Sequence, residues 1–131
     1  MTRLEEVQYL RTEPNGRHYN CAQSLLVPFA PQFGLDKEQA DKLGSLFGSG
    51  MLHGSACGAL SATLMLLGLA GYDSQSARQV IQDFRQRHQD THCTALLTLA
   101  KEQGVPRKEH CDGLVLEMAQ LLEEALAKKG E

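Results

Sequence analysis

The chain lacks most of the signals by which a sequence announces a sheet, a leader, a membrane span or a ready-made catalytic centre. No run alternates β-branched with polar residues, and no Asn-Gly or Asp-Gly pair joins two such runs, so strands and hairpins are not expected. No basic stretch followed by a long apolar core opens the sequence, so a secretory signal is not expected and a cytoplasmic location is the simplest reading. The most apolar stretch, residues 56–70, is broken by Gly58, Ser61, Thr63 and Gly68. It also falls short of the roughly 20 residues that a span requires, so it reads as a buried helix rather than a membrane anchor. There is no excess of positive charge: 13 Lys and Arg face 16 Asp and Glu, scattered along the chain. Nucleic acid and anionic membrane are therefore not expected as partners. The basic run at Arg85, Arg87 and His88 has Asp83 and Asp90 nearby and reads as a solvated helix face.

Catalytic and cofactor motifs are missing too. The glycines Gly48, Gly50 and Gly54 do not make a phosphate loop, because no strand precedes them and no Gly-Lys-Ser/Thr follows. No Ser-His-Asp order or paired carboxylates stand out. The four cysteines form no C-x-x-C pair, which excludes the local knuckles of zinc ribbons and ferredoxin-type loops.

What is present is helical periodicity across 131 residues, enough for one domain, residues 1–131, with a core of its own. Leu4, Val7 and Leu10 mark a first helix ending before the turn at Pro14, Asn15 and Gly16. Asn20 with Gln23, and Asp36 with Gln39, have capping-box spacing and open the second and third helices. The second contains Pro28 and should end by Ala30, and the third should run through Leu46. Ser55 is the expected cap of a central fourth helix reaching Ala70. Asp73 or Ser74 starts a fifth with Ala77, Val80, Ile81 and Phe84 inward, and Thr91 caps a sixth that Gly104 and Pro106 stop. A seventh begins around residues 110–112. The expected fold is a single compact all-α bundle of six or seven helices.

On this map Cys21, Cys57, Cys93 and Cys111 all fall at helix N-termini, where free backbone N–H groups and the helix dipole favour a thiolate. A buried cysteine is ordinarily an apolar filler. In a chain with no export signal, four of them at such places point instead to metal binding or redox chemistry. The separations of 36, 36 and 18 residues mean that only the fold could assemble them into one site. Gly48, Gly50 and Gly54 form a turn whose N–H groups could line that site near Cys57. His53, His92 and His110 lie beside cysteines in sequence but point in other directions on a helix and are not read as ligands.

The segments "YNCAQSLL", "FGSGMLHGSACGALSATLMLLGL", "CTALL" and "CDGLV", in this order, resemble the C_GCAxxG_C_C family, described as redox-active and defined by four single cysteines, one of them in a C-G-A-x-x-G motif. The resemblance spans residues 18–122 and implies a small helical protein. A related domain accompanies haem modules in split-Soret cytochromes, where an iron-sulfur centre has been proposed. It further implies that Cys21, Cys57, Cys93 and Cys111 are the family's cysteines and that residues 48–54 are its glycine-rich loop. Two positions depart from the pattern: Ala62 stands where the family has glycine, and Ser49 where another glycine is common. The expected function is electron transfer with a redox partner protein, through an iron-sulfur cluster held by the four thiolates. The alternatives are a metal-free thiol-disulfide protein with Cys57 as the attacking residue, and a non-enzymatic adaptor stabilised by zinc.

Overall fold

The structure, a computed structural model, describes residues 1–130. Seven α-helices carry the chain: α1 (Arg3–Arg11), α2 (Cys21–Phe29), α3 (Lys37–Gly44), α4 (Gly58–Leu69), α5 (Ser74–His88), α6 (Cys93–Glu102) and α7 (Arg107–Gly130). No strand occurs among the described residues, so the all-α expectation holds. Among the described residues no helix is long and apolar enough to cross a membrane.

Local chemistry sets most of the helix starts. Asn20 and Asp36 each accept the N–H of the residue three ahead, Gln23 and Gln39, whose side chains return the bond to the cap backbone. Thr2 and Glu5 form a third such box at α1, and Asp73 accepts the N–H of Ser76 at α5. Every residue of α2 from Ala22 to Phe29 is buried, Pro28 included, because α1, α3, α4 and α7 all pack against it. The expected central helix, α4, is buried on one broad side through Ala59, Leu60, Ala62, Thr63, Leu66 and Leu67, while Leu69 is exposed. The centre is thus shared by α2 and α4, closed by Val115, Met118 and Leu122 of α7 and by Val7 and Leu10 of α1. The small Ala62 packs with no exposed surface, as a close helix approach requires.

Two boundaries and one helix face differ from the sequence reading. The third helix stops at Gly44, two residues before Leu46, which is exposed. Gly44 lies against Gln23 and Leu26 of α2, so a side chain there would crowd the packing. Of the expected inner face of α5 only Phe84 is buried. Pro106 does not merely end the sixth helix: it immediately precedes the seventh, and its carbonyl accepts the N–H of His110. Proline suits a helix start, where the missing N–H has no partner to lose. The seventh helix therefore begins at Arg107, and Cys111 lies in its second turn rather than its first.

Candidate redox site

The caps of α4 and α6 are also not those expected, and the difference builds the site. Neither Ser55 nor Thr91 caps a helix. Their carbonyls instead accept the N–H groups of Cys93 (2.6 Å) and Cys57 (2.9 Å) in a short antiparallel bridge of Ala56 with His92. This pairing stitches the start of α4 to the start of α6, so that Cys57 becomes the N-cap residue of α4 and Cys93 the first residue of α6. Asp90 supports the bridge by accepting the N–H groups of Thr91 and His92.

The loop before the bridge is wound backwards. Ser49, Gly50, Met51 and Leu52 all have left-handed backbone angles, with φ of 50°, 62°, 58° and 67°. Each non-glycine residue there costs about 1 kcal/mol or more. Glycine is needed at position 50 for a second reason, since a Cβ would lie 2.5 Å from the Ser55 carbonyl oxygen and 2.6 Å from Cys93 Cβ. Gly48 lets the loop approach Asn20, and Gly54 lets it approach Thr94.

Together these devices place Cys21, Cys57, Cys93 and Cys111 on the wall of one cavity of about 520 Å³, between the starts of α2, α4 and α6 and the second turn of α7. Gly48 and Gly50 also line it, whereas Gly54 packs on Thr94 outside the lining. Cys21 and Cys111 lie near enough for each to shift the ionisation of the other. Cys57 occupies the N-cap position of α4 without a side-chain capping bond, and the N–H groups of Leu60 and Ala59 at the helix start favour its thiolate. Among the described residues, no three His, Cys, Asp or Glu side chains converge closely enough to hold a single metal ion.

A helix-start position favours a lowered pKa at all four thiols, yet three go the other way. Burial raises Cys57 despite the N–H groups of Leu60 and Ala59 that favour its thiolate, and burial followed by the charge of Cys111 raises Cys93. Cys21 is raised well above its ordinary value, first because its S–H is held by Cys111 and then by burial. Cys111 alone is lowered, to about 6. The main cause is the hydrogen bond from Cys21, aided by the charges of Arg11 and Arg107 against an opposing burial effect. The pair is therefore one thiol and one thiolate near neutral pH, and the lowered thiol is Cys111 rather than Cys57.

Three cations on the cavity wall, Arg11, Arg107 and Lys108, escaped the sequence reading. Arg11 is buried and donates to Asp112 (2.8 Å), the Tyr19 carbonyl (2.9 Å) and Ser24 Oγ (3.1 Å), while Lys108 bonds the Arg11 carbonyl and Asp112. Arg107 reaches across to Ser49 Oγ (3.2 Å) on the left-handed turn. Arg107 precedes Cys111 by four residues, a spacing that puts both on one helix face and was legible in "PRKEHC". Arg11 lies on a different helix with no such signal. Of the histidines beside cysteines, His53 and His92 are exposed, and His110 lines the cavity with its Nε2 buried and unpartnered. Burial, then the nearby His88, lowers its pKa.

The Arg11 bonds lead to a measurable consequence. Arg11→Met should lower stability by about 2 kcal/mol, below the usual cost of breaking a buried pair because Asp112 retains Lys108. That is a fall of about 8 °C in Tm by thermal denaturation. It should also move the pH of half-maximal Cys111 reactivity upward, since the Arg11 charge favours the thiolate.

A family model described as "Putative redox-active protein (C_GCAxxG_C_C)" matches residues 19–125. The chain belongs to this family. All four cysteines fall within the match, as do the left-handed turn and the Ala56–His92 bridge. Of the cationic wall, Arg107 and Lys108 of this C_GCAxxG_C_C protein lie inside the matched span and Arg11 lies before it. No curated protein and no solved structure matches the chain significantly.

Proposed function

We propose that this C_GCAxxG_C_C protein is a thiol-disulfide redox protein in which Cys111 attacks and Cys21 resolves. The observation that carries this reading is the placement of Cys21 and Cys111 on the wall of one cavity, where each shifts the other so that one sulfur is held as the thiol and the other as the thiolate. A thiolate with a pKa near ambient pH is close to the optimum for attack on a disulfide, and a second sulfur on the same wall is placed to close the internal bond. The cavity gives an oxidised partner access to a site whose other wall is the buried Cys57.

A second reading is favoured by the placement of all four sulfurs on one cavity. The donor set fits an iron-sulfur cluster: Cys21, Cys57, Cys93 and Cys111 would hold it, and the N–H groups of Ala59 and Leu60 would hydrogen-bond the Cys57 sulfur. Such a cluster would supply one-electron transfer to and from a partner protein. This reading stands second because the lowered pKa of Cys111 beside the raised one of Cys21 singles out two of the four sulfurs; for a zinc-stabilised adaptor, no three donors among the described residues lie close enough for one metal ion.

Protein purified without oxygen separates the two. The dithiol reading expects colourless protein that loses two of its four thiols on mild oxidation, with the Cys21–Cys111 disulfide identified by peptide mapping. Visible absorption with stoichiometric iron and sulfide, lost in Cys57→Ser, would establish the cluster instead. Oxidation that joins other cysteines, or none, would refute the assignment of Cys21 and Cys111.

A further inference from the structure

The electrostatics of the cavity say what kind of oxidised molecule can enter it. The chain carries a net charge of −3, yet the wall bears Arg11, Arg107 and Lys108 against the single carboxylate Glu13, which is itself paired with His18 at 2.9 Å. Two of these cations are already used, because Asp112 takes both Arg11 and Lys108. Arg107 has no carboxylate partner among the described residues, and its only side-chain hydrogen bond goes to Ser49 Oγ. It lies one helical turn before Cys111 on α7 and bonds the turn that rims the same cavity, so it links the wall of the attacking sulfur to that turn. The starts of α2, α4 and α6 add the positive ends of three helix dipoles to the same wall. A volume of about 520 Å³ suits a small molecule rather than a protein side chain alone.

We propose that the cavity takes a small disulfide bearing carboxylates, with Arg107 holding a carboxylate while one sulfur of the ligand faces Cys111. The inference rests on the dithiol reading above and names its substrate class. The Cys111 thiolate attacks one ligand sulfur, forming a mixed disulfide and releasing the first ligand thiolate. Cys21, giving up its proton to solvent, then attacks the Cys111 sulfur and releases the second. Two electrons pass from the protein dithiol to the ligand, which leaves as two thiols, and the protein holds a Cys21–Cys111 disulfide. Cys57 and Cys93 are unchanged.

The test uses reduced full-length protein and three disulfides of different charge: anionic 5,5′-dithiobis(2-nitrobenzoate), neutral 4,4′-dithiodipyridine and cationic cystamine. Each rate is divided by that of the same reagent with a simple thiol, which removes intrinsic reactivity. At low ionic strength the normalised rate for the anion should exceed that for the cation by about tenfold, the size of one charge-assisted contact, and the ratio should shrink as salt is added. Arg107→Gln should collapse the ratio and Arg107→Lys should restore part of it, because a lysine keeps the charge but not the fork. A ratio near one in the unaltered protein, or one that survives Arg107→Gln, overturns the anion preference even when all three reagents close the Cys21–Cys111 bond. If none of the three closes that bond, the dithiol reading fails and this proposal with it.

Discussion

Replacing Cys111 with serine should slow the reaction of the reduced protein with a neutral disulfide reagent by at least about tenfold at pH 6, and by a smaller factor as the pH rises. The two opposing factors can be weighed. A thiol of pKa about 6 is half ionised at pH 6, whereas one at the ordinary value of 9.0 is ionised in about one molecule per thousand. The more basic thiolate is intrinsically the better nucleophile, by about twentyfold across three pKa units. Over a thiol at the ordinary value the net advantage of Cys111 is therefore about 25-fold at pH 6 and shrinks as pH rises and that thiol ionises. Burial of Cys57 and Cys21 widens the gap, since both are raised above the ordinary value. The sign is that of a depressed acid: the reactive form of Cys111 is present above its pKa and is lost as pH falls through about 6. A rate profile in the unaltered protein with no inflection near pH 6, or a Cys111→Ser protein as fast at pH 6 as its parent, would remove Cys111 from the attacking role. Cys21→Ala offers a second check. It takes away the hydrogen bond that chiefly lowers Cys111, so the inflection should move upward and the mixed disulfide should persist for want of a resolving sulfur.

How much of this was visible in the residues alone depends on the range of the interaction. Asn20 with Gln23, and Asp36 with Gln39, act across three residues, and their capping boxes were legible and are formed. The convergence of four cysteines separated by 36, 36 and 18 residues was suggested by their helix-start positions, yet the device that brings Cys57 and Cys93 together was not. That device is a pair of backbone hydrogen bonds between residues 55–57 and 91–93, and backbone groups are the same in every sequence. Ser55 and Thr91 look like caps because their side chains suit caps, but tertiary pairing claims their carbonyls first. The pKa pattern was illegible for a related reason. A helix dipole is a local property that a sequence can place, whereas burial and the coupling of Cys21 to Cys111 belong to the packed molecule, and at these thiols they outweigh the dipole. Pro106 misled in the opposite sense, since proline ends one helix and begins the next equally well.

Gly50→Ala should be the most damaging single-methyl change in the loop. At φ of 62° an alanine pays about 1 kcal/mol or more for the left-handed backbone alone. Its Cβ would also meet the Ser55 carbonyl oxygen at 2.5 Å, the Ser55 nitrogen at 2.7 Å and Cys93 Cβ at 2.6 Å. Two of these are backbone atoms already committed: the Ser55 nitrogen donates to the Gly50 carbonyl at 2.8 Å and the Ser55 oxygen accepts from Cys93 at 2.6 Å. No flexible side chain can swing aside, so the overpacking adds about 1–3 kcal/mol and the total comes to about 3 kcal/mol, or about 12 °C in Tm. Gly113→Ala is the control. Gly113 lies within α7 with nothing near its missing Cβ, so alanine should stabilise the protein by about 0.5–1 kcal/mol. A thermal melt of the two variants thus expects shifts of opposite sign from the same added methyl. The chemistry should follow the strain. Relief at position 50 must push the Ser55 strand or the start of α6 outward, loosening the bond that holds Cys93, so the Cys93 thiol should become more open to alkylation at pH 8 while Cys21 and Cys111, held by α2 and α7, keep their coupling. Unchanged stability and unchanged Cys93 labelling in Gly50→Ala would mean that the backward-wound turn does not pin the cysteine to the cavity wall.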